Sequence, residues 1–325
     1  MSIAATVAAG AACMELIEQY QPEYVIRFNA RDAACECPAC QDAAGDWPKT
    51  RLTVGNQQRE SLNAACESAA REILLNPEAF MLHTGETETD SIAEHSLWDE
   101  ALNQQCINMA VHPGLTLESR LYAIGVLLSK AQRYRDENQC DPQDLIAMGE
   151  QLAQLAEAGI LNEQLSLLPP IEVNRVEALG EMGAMRLNLN VPGMQKMMLM
   201  FKLSELAVMQ PARLQERLRE LDAKQIPLFS EQPFIVHNVL LYRLYGDYFP
   251  CRNVSNYGVA LKSLTRQFFQ LKMLCAMWLE DNAQLTADEF TGLFSAWYAW
   301  QAQLPVESDG EHMADYTLLC GLSLI

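Results

Sequence analysis

Positive charge is scarce in this chain: 23 Lys and Arg stand against 42 Asp and Glu among 325 residues, for a net charge of −19. Nucleic-acid backbones are bound by Lys and Arg that displace phosphate counterions, so no nucleic-acid partner is expected, nor any acidic membrane surface. Long hydrophobic runs are missing too. The strongest apolar block, residues 191–209, is interrupted by Lys196, Lys202 and Glu205 and is too broken to span a bilayer. There is no H-E-x-x-H pair, no G-x-S-x-G elbow, no Walker-type phosphate loop and no strand running into G-x-G-x-x-G. The zincin, serine-hydrolase, P-loop and Rossmann readings go with them. His83, His95, His112, His237 and His312 show no paired metal spacing and read as surface or hydrogen-bonded side chains. Residues 1–14 are Ala-rich like a secretory leader but carry no Lys or Arg ahead of the apolar part, so export is not expected. Within them, residues 8–12 read as Ala-rich helix rather than a nucleotide loop.

What is abundant is straight-chain helix former. Half the residues are apolar, Leu, Ala, Met, Glu and Gln dominate, and only 16 are Gly. Such side chains lose little rotamer freedom in a helix, so the expected fold is mainly α: a multi-helix domain with a small irregular cysteine-containing N-terminal segment. The length exceeds what one core usually organises. Residues 1–58 form the expected N-terminal segment and 59–325 the helical domain, with a possible sub-boundary at Pro169-Pro170. Within 1–58 the pattern predicts a helical lead from Cys13 to Tyr20, an extended stretch from Glu23 to Phe28, and a loop around Gly45-Asp46-Trp47-Pro48.

A helical pattern follows from Gln58 to Asn76, and Gly85 to Asp90 reads as an acidic loop. Further on, helices are marked by their caps, where a side-chain oxygen satisfies N–H groups left without partners in the first turn. Thr116 precedes a stripe of Leu117, Leu121, Ile124 and Leu128. Asp141-Pro142 supplies a cap and a first-turn proline, Asp144 suits the positive helix start, and Gly159 closes that helix. Thr286 with Glu289 forms a capping box, with Leu285 and Phe290 at staple spacing. Met194, Met197, Met198, Met200 and Met209 read first as core packing and second as a flexible partner face. The aromatic sets Tyr242, Tyr245, Tyr248, Phe249 and Trp278, Phe294, Trp297, Tyr298, Trp300 read as core with polar tips.

Ten cysteines are scattered over the chain, a distribution that suits reduced thiols in a cytoplasmic setting. Cys35, Cys37 and Cys40 stand at C-x-C-x-x-C spacing, close enough to reach one ion or one iron–sulfur cluster from a single loop. Cys66, at a helix start that favours thiolate, is the nearest fourth ligand, with Cys13 or Cys106 behind it. Zinc, an iron–sulfur cluster and unmetallated thiols all remain open.

Several segments, in order, resemble the flagellin lysine N-methylases. Gln21-Pro-Glu-Tyr-Val-Ile-Arg-Phe28 is similar to that family's start, and Cys66-Glu-Ser-Ala-Ala-Arg71 to its S-C-P-E-A-A-R signature. Leu117-Glu-Ser-Arg-Leu-Tyr-Ala-Ile-Gly125 resembles its next helix, Asn238 to Pro250 its N-Y-L…F-P block, and Glu311-His312 its closing E-H. The resemblance implies S-adenosylmethionine as methyl donor, flagellin as protein substrate, and an iron–sulfur or other metal centre on the N-terminal cysteines. Ala30 and Ala39 stand where two of that family's cysteines would be, Cys35 and Cys40 match, Cys37 is extra, and the cysteine stretch is shortened. Either Cys37 replaces a lost ligand in a centre with Cys35, Cys40 and Cys66, or the chain is a non-catalytic helical flagellin-binding or metal-binding protein derived from the family. Methyl transfer needs a neutral lysine amine aligned with the sulfonium methyl; Glu67, Tyr242 and Tyr248 are the candidates for that work.

Overall fold

The computed structural model describes residues 15–32, 35–41, 43–89, 96–168, 171–250, 256–304 and 314–325. The Ala-rich leader with Cys13, His95, Pro169-Pro170 and Glu311-His312 lie outside them. The described chain begins with β1 (Glu15–Pro22), α1 (Glu23–Asn29), α2 (Pro38–Gln41), β2 (Lys49–Val54), β3 (Gln57–Leu62), α3 (Glu67–Leu74) and β4 (Leu82–Thr89). Helices follow throughout: α4 (Leu97–Val111), α5 (Leu117–Asp136), α6 (Pro142–Glu157), α7 (Ile160–Ser166), α8 (Glu172–Glu181) and α9 (Gly193–Leu206). The last are α10 (Pro211–Asp222), α11 (Pro227–Glu231), α12 (Phe234–Gly246), α13 (Tyr257–Trp278), α14 (Ala287–Gln301) and α15 (Ala314–Leu322). The fold is mainly α with one small sheet.

The sheet and the helix that follows its first strand correct four local expectations. Its order is β2-β3-β1-β4, with β1 parallel to β3 and antiparallel to β4. Residues 15–22 are thus strand, not helical lead, and Glu23–Asn29 is helix, not extended chain. Pro22 divides them: at φ −66° and ψ 152° it keeps the extended backbone of the strand while standing just ahead of the first turn of α1, and its ring brings no N–H that the helix start must satisfy. Glu23 at the helix start and Arg27 in its last turn complement the dipole, which outweighs the β-branched pair Val25-Ile26. Leu82–Thr89 is a strand, not a loop, held by its eight-residue ladder with β1 although most of its side chains are exposed. The helical pattern expected from Gln58 to Asn76 is confined to α3. Gln57–Leu62 is strand, crosses the expected boundary at residue 58, and pairs with β2 through a two-residue turn whose first position, Gly55 at φ +56°, would strain a side chain.

The capped helices form as their sequences dictate. The hydroxyl of Thr116 accepts from the Ser119 amide, Asp141 caps α6 ahead of Pro142, and Thr286 and Glu289 close a reciprocal capping box. Leu121, Ile124 and Leu128 are buried, and Gly159, at φ +74°, follows the end of α6.

Two cores result, and α12 and α13 serve both. One contains α3, α8 to α11 and α14, and takes Ile235, Val239 and Tyr242 from α12 and Phe269 to Trp278 from α13. The other contains α4 to α7 and takes Leu240, Leu241 and Leu244 from α12 and Tyr257, Leu261 and Leu264 from α13. Most of the expected aromatic core is buried there. The methionine stretch departs from the core reading: α9 buries Leu199, Leu203 and Leu206, whereas Met194, Met197 and Met198 are exposed and Met200 and Met209 half-buried. No described helix is long and apolar enough to cross a membrane.

Candidate metal centre

The four predicted cysteines come together. The sulfurs of Cys35, Cys37, Cys40 and Cys66 all lie within 4.8 Å of one another. A tight turn brings Cys37 and Cys40 together, the Cys40 amide donating to the Cys37 carbonyl at 2.9 Å and the two sulfurs standing 3.6 Å apart. Cys66 arrives from the other side as the residue that caps α3. Cys37 and Cys66 are buried, and Cys35 and Cys40 half-buried. Cys106, the reserve ligand, lies in the other core, where burial alone pushes its thiol up.

The first turn of α3 supplies the electrostatics. A helix start has N–H groups without intrahelical partners, and here those of Glu67, Ser68 and Ala69 act on Cys37, Cys35 and Cys66 in turn. Burial pushes the Cys35 thiol up, but the Ser68 hydroxyl and the Cys37 and Ser68 amides outweigh it and bring it down to about 7. For Cys37 burial wins, pushing it up to about 11, and Cys66 is raised for the same reason. Of these thiols, Cys35 is therefore the one whose thiolate the α3 start favours.

Surrounding groups hold the ligands in place. The Trp47 indole N–H donates to the Cys40 sulfur at 3.3 Å, and the Pro48 carbonyl accepts from the Asn63 amide at 2.7 Å, tying this loop to the Cys66 turn. Tyr242 reaches across from α12, its hydroxyl donating to the Leu62 carbonyl at 2.8 Å and accepting from the Ala64 amide at 3.1 Å. Sequence reasoning placed Tyr242 among candidates for substrate work; its hydroxyl is instead engaged with backbone next to Cys66. Glu67 accepts from Asn190 at 3.3 Å. Tyr248, at φ +51°, lays its ring 5.0 Å from the Arg59 guanidinium. The roles of Trp47 and Ser68 went unread, although the loop's position beside the cysteines pointed to the first. Of the described histidines, His83 meets Glu23 at 2.8 Å, His112 accepts from the Gly114 amide, and the half-buried His237 has an Nε2 without a hydrogen-bond partner.

The donor set fits one ion. Four thiolates around a tetrahedral cation with bonds of about 2.3 Å stand about 3.8 Å apart; here the Cys37 and Cys40 sulfurs are 3.6 Å apart and all four lie within 4.8 Å of one another. A four-iron cluster gives each thiolate its own iron at a separate corner and spreads the sulfurs wider.

Residues 103–303, more than half of the chain, match the FliB lysine N-methylase C-terminal domain. The chain belongs to the FliB lysine N-methylase family. Within this member the matched residues run from α4 into the turn after α14, covering the resembling segments Leu117–Gly125 and Asn238–Pro250; the cysteine centre precedes them. Searches of curated proteins and of solved structures found no match.

Proposed function

We propose that this chain methylates lysine side chains of flagellin with S-adenosylmethionine in the cytoplasm, and that Cys35, Cys37, Cys40 and Cys66 hold one metal ion beside the helical domain. Membership of a lysine N-methylase family supports the reaction class. The observation that carries the metal is the approach of four thiols to within 4.8 Å. Zinc fits this set better than a cluster because a single ion needs sulfurs this close, and the eight described cysteines are free thiols, as a reducing compartment requires.

The chemistry asks for a neutral amine. Its lone pair forms the N–C bond as the methyl leaves sulfur, giving S-adenosylhomocysteine, and the lysine's proton has to be lost beforehand. Desolvation lowers the amine's pKa, and the acidic surface of a chain with net charge −19 attracts lysine-bearing partners. When bound, a closed four-cysteine zinc ion supplies folding energy and leaves no open coordination position. The residues around it do the rest of the positioning: the α3 amides stabilise the sulfurs, Trp47 orients Cys40, and Tyr242 fixes the turn that presents Cys66.

The test is incubation of the purified chain with flagellin and a labelled methyl donor. Methyl-lysine in the product is expected. Flagellin that binds but acquires no label, with donor and substrate verified, would leave a non-catalytic member of the family in place of an enzyme.

A further inference from the structure

The small sheet ends on an open edge. Its order is β2-β3-β1-β4, so β4 pairs with β1 on one side and, among the described residues, with no strand on the other. Along such an edge alternate residues turn their N–H and C=O groups outward, a row of donors and acceptors ready for another extended chain. Edges are commonly blunted by proline, lysine, a bulge or a very short strand. β4 is eight residues long, Leu82-His-Thr-Gly-Glu-Thr-Glu-Thr89, with neither proline nor lysine, and its register with β1 is unbroken from Leu82 opposite Pro22 to Thr89 opposite Glu15. What it carries instead is negative charge.

That charge lies on one face. Residues directly opposite each other in neighbouring strands point to the same side, which places Leu16, Glu18 and Tyr20 of β1 with Leu82, Thr84, Glu86 and Glu88 of β4. Glu18 stands directly opposite Glu86, and like charges in that position destabilise a strand pair. Glu86 and Glu88 are exposed, and neither pairs with a described cation. Positive charge arriving from outside the sheet relieves this repulsion. The same face is also apolar at one end. Tyr20, Gln57 and Leu82, all on the Glu86 side by register, line a cleft of about 580 Å³ together with Leu97 and Val111 of α4 and Ile146 of α6. Leu82 and Leu97 stand 47 and 64 % exposed at it.

We infer that β4 is the docking edge for the protein substrate: an extended flagellin segment adds as a further strand beside β4, with lysines facing Glu86 and Glu88 and an apolar side chain directed toward Leu82 and the cleft. This rests on the flagellin reading above. Strand addition takes its affinity from backbone hydrogen bonds and its selectivity from alternate side chains; here the selection is electrostatic. A second copy of this chain is the other occupant an open edge invites. Two β4 strands paired antiparallel would gather Glu86 and Glu88 of both chains on one continuous face, and that repulsion opposes self-association. A basic strand meets no such penalty, so the carboxylates that guard the edge against its own copies admit a lysine-bearing one.

The test combines hydrogen exchange and calorimetric titration of the metal-loaded full chain with unmethylated flagellin monomer. Flagellin should slow amide exchange within residues 82–89 by about fivefold or more. Glu86→Lys/Glu88→Lys should weaken binding by about tenfold or more, and without lowering Tm, because it removes the Glu18–Glu86 repulsion. Glu137→Lys/Glu163→Lys makes the same change of net charge at exposed positions outside the sheet and the cleft, and should leave binding within about twofold. Flagellin that wild type binds and methylates with exchange at 82–89 unchanged, or that the Glu86→Lys/Glu88→Lys variant binds equally well, would overturn the docking edge and leave the function standing. A wild-type dimer whose 82–89 amides are already protected before flagellin is added would also overturn it. Protection of 82–89 by flagellin without methyl-lysine would uphold the docking edge and count against catalysis. Absence of both binding and methylation would overturn the function and this inference together.

Discussion

At the scale of single residues, the centre depends on groups that never touch a metal. The Tyr242 hydroxyl satisfies the Leu62 carbonyl and the Ala64 amide in a buried setting. Tyr242→Phe strands both, and each unmade buried hydrogen bond costs about 1–3 kcal/mol. The variant should therefore unfold at lower denaturant in urea melts and release metal to a chelator faster than wild type. His237 makes a different prediction. Burial first, and then the nearby Arg120 guanidinium, hold its imidazole down to about 4, below its ordinary 6.5. In the folded chain it stays neutral while the unfolded chain takes up a proton from pH 6.5 downward. Stability from this group is thus complete above pH 6.5 and lost as pH falls toward 4. Between pH 7 and 5, wild type should lose about 1 kcal/mol more stability than His237→Gln in paired urea melts, a figure that allows for screening of a half-buried ring. Equal losses would show that His237 does not titrate differently on unfolding.

Among elements, close approach is as important as capping. A Cβ at Gly183 would lie 2.5 Å from the Ala207 backbone nitrogen, so the short turn after α8 meets the end of α9 at a distance only glycine permits. Gly183→Ala should destabilise by about 1–3 kcal/mol in thermal melts, the usual penalty of overpacking against backbone that cannot yield. How far such features were readable depended on whether their cause is local. Caps at Thr116, Asp141 and Thr286 are local chemistry, and they appear in the structure where the sequence put them. β1 and β4 owe their conformation to pairing with each other across sixty residues, and β4 has almost no buried face to advertise it. The α9 methionines fail for a related reason: apolar composition is local, but which side of a helix meets the core is a tertiary fact. The same division runs through the sites. C-x-C-x-x-C spacing announces itself, and Cys66 at a helix start follows from proximity. Arg59 carries no motif, and its burial between Tyr20 and Leu52 emerges only from strand pairing.

For the whole molecule, the N-terminal sheet and cysteine loop are joined to the helical body through shared packing rather than a flexible tether. Tyr24, Cys37 and Cys66 belong to the same core as Phe294 and Trp297 near the other end of the chain, and the Ser295 hydroxyl donates to the Ala65 carbonyl at 2.9 Å. Ion binding at the cysteines is therefore expected to stabilise the body as well as the loop, since a ligand that binds only the folded state shifts the unfolding equilibrium by its own binding free energy. Chelator-stripped protein should show a lower Tm reported by tryptophans in the helical core as well as by the loop. The most direct measurement of the central claim is elemental analysis of the purified chain together with its Cys37→Ala and Cys66→Ala variants. One zinc ion per wild-type chain, lost in both variants, is the predicted result. Four irons per chain, or no metal in protein prepared without chelator, would contradict it.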